Sequence, residues 1–200
     1  MRHAGLIVMA LSLAAEQPAR SDEVIEQIEA GKAYYVEGDF SRALNEFEFA
    51  LNALRTQFSS AFIETLPEAP ILWTADKPSL ETGAALFGAG VMVTQRYQED
   101  KGGGRIIAEI TVDSPMVQAF SAVFSSPIMI ANDPSLERIR LGGSIGILKW
   151  DADRRTGDLS LSFGGRVLVR LTGNDLDDKA LLIDVMKTWD LDAVKRIAGL

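Results

Sequence analysis

The chain has 200 residues, 47% hydrophobic and 24% charged, with 20 Lys+Arg against 28 Asp+Glu and a formal net charge of -8. This is globular composition, enough for one modest core plus an appendage, and its acidity disfavours nucleic acid and anionic lipid as general partners. Cysteine is absent and the one histidine is His3, which excludes disulfide scaffolding, thiol catalysis and cysteine-ligated metal.

Residues 1–20, MRHAGLIVMALSLAAEQPAR, open with Arg2 and His3, continue with an apolar run from Gly5 to Leu13, and pass through Ala14-Ala15 into Glu16-Gln17-Pro18. Charge, apolar core, small residues and then polar residues is the order of a secretory signal. The run is too short for a membrane span, which needs ~20 residues. The expectation is a signal peptide over 1–20 and a periplasmic or secreted protein. A buried N-terminal helix or a retained interfacial anchor is the other reading. Cleavage would remove His3, and with it histidine triads, histidine acid–base chemistry and histidine-ligated metal. No G-x-S-x-G elbow is present. A non-enzyme with no cofactor and no metal is expected.

Residues 21–66 read as two helices. Acidic residues in the first turn suit the positive end of a helix dipole. The first helix is predicted to reach Glu37, with Gly38-Asp39 as the turn and Asp39 as cap of the second. Phe40, Ala43, Leu44, Phe47, Leu51, Leu54 and Phe58 then recur at three- and four-residue steps, one apolar stripe. On Gly31, Ala33, Tyr34, Gly38, Asp39, Phe40, Ala43, Phe47, Ala50 and Leu51, this pair resembles a tetratricopeptide repeat. The family's proline after the second helix is missing, and Arg55 stands near that point.

No second copy is present, although such repeats bury their apolar faces only by stacking. Three occupants of the apolar face are open: the rest of this chain, a second copy of it, or another protein. Tetratricopeptide repeats mediate protein contacts, so the resemblance implies a protein partner or self-association. Tyr34, Tyr35, Phe47 and Phe49 are the candidate contacts.

Leu66-Pro67-Glu68-Ala69-Pro70 marks a boundary, since two prolines stop a helix and stiffen the connection. Over 67–200 the period falls to two. Val91, Val93, Gln95 and Tyr97 share one strand face, and Ile106, Ala108, Ile110 and Val112 share the returning one, around a glycine-rich turn. Ser114-Pro115 opens a helix. Four strands come next, over Arg138–Leu141, Ile145–Trp150, Leu159–Phe163 and Val167–Leu171, then a helix from Asn174 to Ile197. Short loops force antiparallel pairing. The fold class is α+β: a helical hairpin followed by an antiparallel sheet with helices packed on one face. Leu66-Pro67, Trp73, Thr111–Pro115, Gly142-Gly143, Arg155–Gly157 and the closing acidic helix are similar to an exported bacterial family of unknown function.

Few stretches invite chemistry. Lys101-Gly102-Gly103-Gly104-Arg105 joins two strands, whereas a phosphate loop feeds a helix. Asp151, Asp153 and Asp158 straddle a turn without the spacing or closing glutamate of a calcium loop. Ser114–Asn132 carries no charge, and its two prolines and serines argue against a stable membrane span. It reads as core, or as one wall of an apolar pocket with Phe120, Phe124 and Ile128 as candidates. Two functions are open: an exported interaction or adaptor protein that uses the hairpin, or a binder of a small apolar ligand or lipid between sheet and helices.

Overall fold

The computed structural model describes residues 20–82, 90–124, 133, 135–141 and 143–200. Residues 1–19 of the proposed signal segment and Ile128 lie outside these residues, as does the side chain of Phe124. Two compact units divide the chain, one comprising residues up to Leu51 and the other Asn52–Leu200. The division falls inside a helix.

Helices α1 (Arg20–Glu37) and α2 (Phe40–Ile63) meet at Gly38-Asp39. Gly38 has φ +81°, a left-handed conformation that suits glycine at a helix end. Its N–H donates to the Tyr35 carbonyl at 3.2 Å, and the Asp39 N–H to the Tyr34 carbonyl at 2.9 Å. Asp39 then caps α2, its Oδ1 accepting from the Arg42 N–H at 3.2 Å.

The second unit is built on an eight-stranded antiparallel sheet in the order β1-β3-β4-β8-β7-β6-β5, with β2 also pairing β3. The strands are β1 Trp73–Ala75, β2 Ser79–Thr82, β3 Val91–Glu99, β4 Arg105–Val112, β5 Leu136–Leu141, β6 Ser144–Asp151, β7 Thr156–Phe163 and β8 Val167–Asn174. The α+β class and the antiparallel sheet are as the sequence predicts. β1 and β2 were not expected. They are short edge segments that share β3 as their partner, and Pro78 between them is tolerated because nothing pairs beyond an edge.

Period-two alternation sorts the sheet into two unlike faces. One face carries rows such as Val93–Ile110–Val169–Leu161 and Ala108–Leu171–Leu159–Leu148, nearly all fully buried. Helices α4 (Ala180–Thr188) and α5 (Leu191–Ile197) join this core through Leu182, Val185, Met186 and Val194. So does the end of α2, where Phe62 is fully buried and meets Phe58 edge-on at 5.0 Å. The single helix expected over 174–197 is two helices. β8 runs on to Asn174, and at buried Trp189 the chain extends (ψ 127°) before Asp190 caps α5 by accepting from the Ala193 N–H at 2.8 Å.

The opposite face is polar. Its rows include Thr94–Glu109–Arg170–Ser160–Ile147–Arg138 and Ile107–Thr172–Asp158–Lys149–Leu136. Helix α3 (Pro115–Phe124) lies here, extending the expected arrangement to a second face. Ser114 caps it, accepting from the Met116 N–H at 3.3 Å, and Ser121 Oγ lies 2.9 Å from Ser162 Oγ.

Tyr97 fastens the boundary segment to the core. Its buried hydroxyl donates to the Pro67 carbonyl at 2.6 Å and lies 2.8 Å from Gln95 Oε1. Burial pushes the phenol well above its ordinary value of 10.0. Once the pH passes that value, the unfolded phenol ionises while the folded one keeps its proton. The unfolded chain then binds fewer protons, and stability falls as pH rises. Tyr97→Phe is expected to cost about 1–3 kcal/mol in urea unfolding at neutral pH and to flatten the alkaline decline.

Candidate functional site

Two surfaces merit a functional reading, one in each unit. The first is the hairpin of α1 with the opening turns of α2. Its interior is small: Val24, Gly31, Ala43 and Ala50 are buried. Small residues allow close approach of the helices, and Phe47 lies directly over Gly31. A Cβ at Gly31 would sit 2.7 Å from Phe47 Cε1.

The larger apolar residues are turned outward. Among the described residues, nine exposed large apolar side chains belong to this unit and six to the whole of the other. Of the nine, Phe40, Leu44, Phe47 and Leu51 recur at helical spacing on one side of α2. Tyr35 of α1 joins them, its ring 5.8 Å from that of Phe40. The result is an exposed apolar strip crossing from one helix to the other. Monomeric proteins rarely leave such strips uncovered without a use.

The four aromatic candidates do not form one cluster. Tyr35 and Phe47 belong to the strip. Tyr34 is partly buried, with the Arg42 guanidinium 5.5 Å over its ring. Phe49 is 59% exposed but two residues from Phe47, which places it on the other side of α2. Leu44, as exposed as Tyr35 at 62%, belongs to the strip but was not among the candidates.

The second surface is the polar face of the sheet beside α3. A cavity of about 230 Å³ is lined by Phe120, Leu136, Ile147, Lys149, Asp158 and Arg170, among others. A more open one of about 490 Å³ shares Ile147 and adds Arg138, Ser121 and Ser162. Phe120 is thus on a cavity wall, and the lining is not purely apolar. Asp158 accepts from Arg170, from Ser160 Oγ at 2.7 Å and from Thr172 Oγ1 at 3.3 Å. The Arg170 guanidinium also lies 5.9 Å from the Phe120 ring centroid, within cation–π range. At the entry to β5, Asp133 is held below its ordinary carboxyl value by the hydroxyl and N–H of Ser135, with Lys149 adding attraction. Sequence reasoning missed Arg138, Lys149 and Arg170. Their alternation within strands was visible, but only the cross-strand register brings them together.

The remaining motifs have structural roles. At the glycine-rich turn, Gly104 N–H donates to Glu99 Oε2 at 3.2 Å, and a Cβ on Gly103 would meet Asp175. Carboxylates already occupy the space where a phosphate would lie. Asp151 pairs with Arg154 at 3.7 Å, and Asp158 with Arg170. Among the described residues no three acidic or histidine side chains converge as metal ligands, and no helix is long and apolar enough to cross a membrane. Compared with protein-family models, curated proteins and solved structures, the chain matches none.

Alanine is the better helix former by about 1 kcal/mol. Even so, Gly31→Ala is expected to destabilise the hairpin, because crowding Phe47 costs about 1–3 kcal/mol. Loss of helical circular dichroism at a lower temperature in the variant would show this. A raised melting point would mean that Phe47 swings aside freely.

Proposed function

We propose that this is an exported, non-enzymatic interaction protein whose helical hairpin makes its protein contact. The observation that carries the reading is the strip of Tyr35, Phe40, Leu44, Phe47 and Leu51, apolar, exposed and joined across two helices. Buried interface cores are built from such aromatic and aliphatic anchors. The likeness of residues 31–51 to a tetratricopeptide repeat supports a protein as the occupant. Export rests on the order of residues in the first twenty. The absence of cysteine leaves little of the usual nucleophilic inventory.

The second unit serves here as the rigid body that carries the hairpin. Its core is independent of the strip, so removing strip side chains leaves the sheet intact.

The test places a photo-cross-linking residue at Tyr35, Leu44 or Phe49 in cells. One identified protein, or a second copy of this chain, is expected from the first two positions. Capture should weaken at least about tenfold when Tyr35→Ala and Leu44→Ala are combined, with the melting temperature of the second unit unchanged. Cross-links from Phe49 alone would move the contact to the other side of α2 and overturn the strip. No cross-link from any position would overturn the reading altogether.

A further inference from the structure

We propose that the polar face of the sheet binds a small amphipathic carboxylate, with its apolar body against Phe120, Leu136 and Ile147 and its charge toward Arg138 and Lys149. This site lies within the second unit and is independent of the hairpin contact.

Charge makes the first argument. The chain carries a net charge of -8, yet the two cavities that share Ile147 are lined by Arg138, Lys149 and Arg170 against one acid, Asp158. That acid is already engaged by Arg170, Ser160 and Thr172. Glu109, opposite Arg170 on β4, accepts from Thr111 Oγ1 at 3.0 Å and is not part of either lining. Two cations are therefore left facing the cavities. Neither Arg138 nor Lys149 makes a hydrogen bond or ion pair among the described residues; Lys149 has Asp158, already engaged, as its cross-strand neighbour and Asp133 at the rim. The register pairs Leu136 with Lys149 and Arg138 with Ile147, so the two cations are diagonal neighbours across β5 and β6, ~7–8 Å apart at the backbone. At that separation both long side chains would reach a single anionic group.

The apolar wall makes the second argument. Leu136, Ile147 and Phe120 flank the same smaller cavity as Lys149. A free inorganic anion would leave them wet, and a neutral apolar guest would strip water from the cations without compensation. A molecule with both an apolar body and a carboxylate satisfies both sides. Cavities of about 230 and 490 Å³ fit a medium-chain or aromatic acid and not a whole phospholipid, since drug-sized ligands fill ~300–1,000 Å³.

The test is a titration of the isotope-labelled full chain followed by amide NMR, with octanoate, 1-octanol and acetate as probes. Octanoate is expected to give saturable shifts in β5, β6 and β7 and at Phe120. Octanol, which keeps the tail, and acetate, which keeps the charge, should each bind at least about tenfold more weakly. The combined Arg138→Gln and Lys149→Gln variant should weaken octanoate by about tenfold while leaving octanol unchanged. Both side chains are exposed on strands, so the variant should melt as the parent does. Should it misfold, the octanoate–octanol comparison in the parent still decides. Equal binding of octanoate and octanol would overturn the role of the cations. Octanoate shifts that fail to saturate, or that map elsewhere, would overturn the site.

Discussion

Burial of one face of the sheet is the constraint on which the second unit depends. Val93, Ile110, Val169 and Leu161 are all fully buried in a single cross-strand row, and a row of this kind is stable only when something apolar lies over it. Three segments distant in sequence supply the cover: the end of α2 through Phe62, α4 through Leu182 and Met186, and α5 through Val194. Truncating a residue such as Phe62 would cost about 3–5 kcal/mol, a large share of the stability of a domain this size. This explains why compactness divides the chain within α2. Phe58, Phe62 and Ile63, near the end of α2, pack with the core of the second unit.

Covering one face leaves the other to take the polar half of every strand. Alternation guarantees that when Leu159, Leu161, Val169 and Leu171 point into the core, Asp158, Ser160, Arg170 and Thr172 point away from it. What alternation does not guarantee is the surplus of cations. The Asp158–Arg170 pair is only partly buried, at 25% and 35% side-chain exposure, and pairs so placed contribute little to stability. Arg138 has no ion pair or hydrogen bond among the described residues. Stability therefore gives no account of why an acidic chain gathers positive side chains against apolar walls on this face.

Much of this architecture was legible in the sequence, because the physics that dictates it is local. Period-two runs at Val91–Tyr97 and Ile106–Val112 gave the central hairpin, and Gly38-Asp39 gave the turn between helices. Legibility failed where the deciding partner was distant. β1 and β2 are short and lack alternation, and they exist because β3 offers its edge. At the break, Trp189 is buried and Asp190 caps the helix that follows; the cap is a local signal, but it was lost inside a continuous apolar pattern. The sequence left open what covers the apolar stripe of α2, because that depends on distant partners. The stripe is divided, with Phe58 packed into the core while Phe40, Leu44 and Leu51 remain exposed. The two polar cavities were illegible for a simpler reason: their cations come from three strands and are brought near one another only through register.

The divided stripe bears on how a single repeat-like unit persists. In a solenoid each unit is stabilised by its neighbours. Here the hairpin has small residues at its seam, Gly31, Ala43 and Ala50, and of the strip Phe47 packs across it over Gly31, while Tyr35, Phe40, Leu44 and Leu51 stay exposed. Those side chains retain the free energy that burial would release, about 1.5–3 kcal/mol for each fully buried Leu or Phe. Area of this kind does not convert directly into affinity, because association costs translational and side-chain freedom. A strip held on two helices, already ordered by the capped turn at Asp39, loses less of that freedom than a flexible segment would. A seam of small residues thus leaves the large apolar groups of the motif ordered, outward-facing and available to a partner.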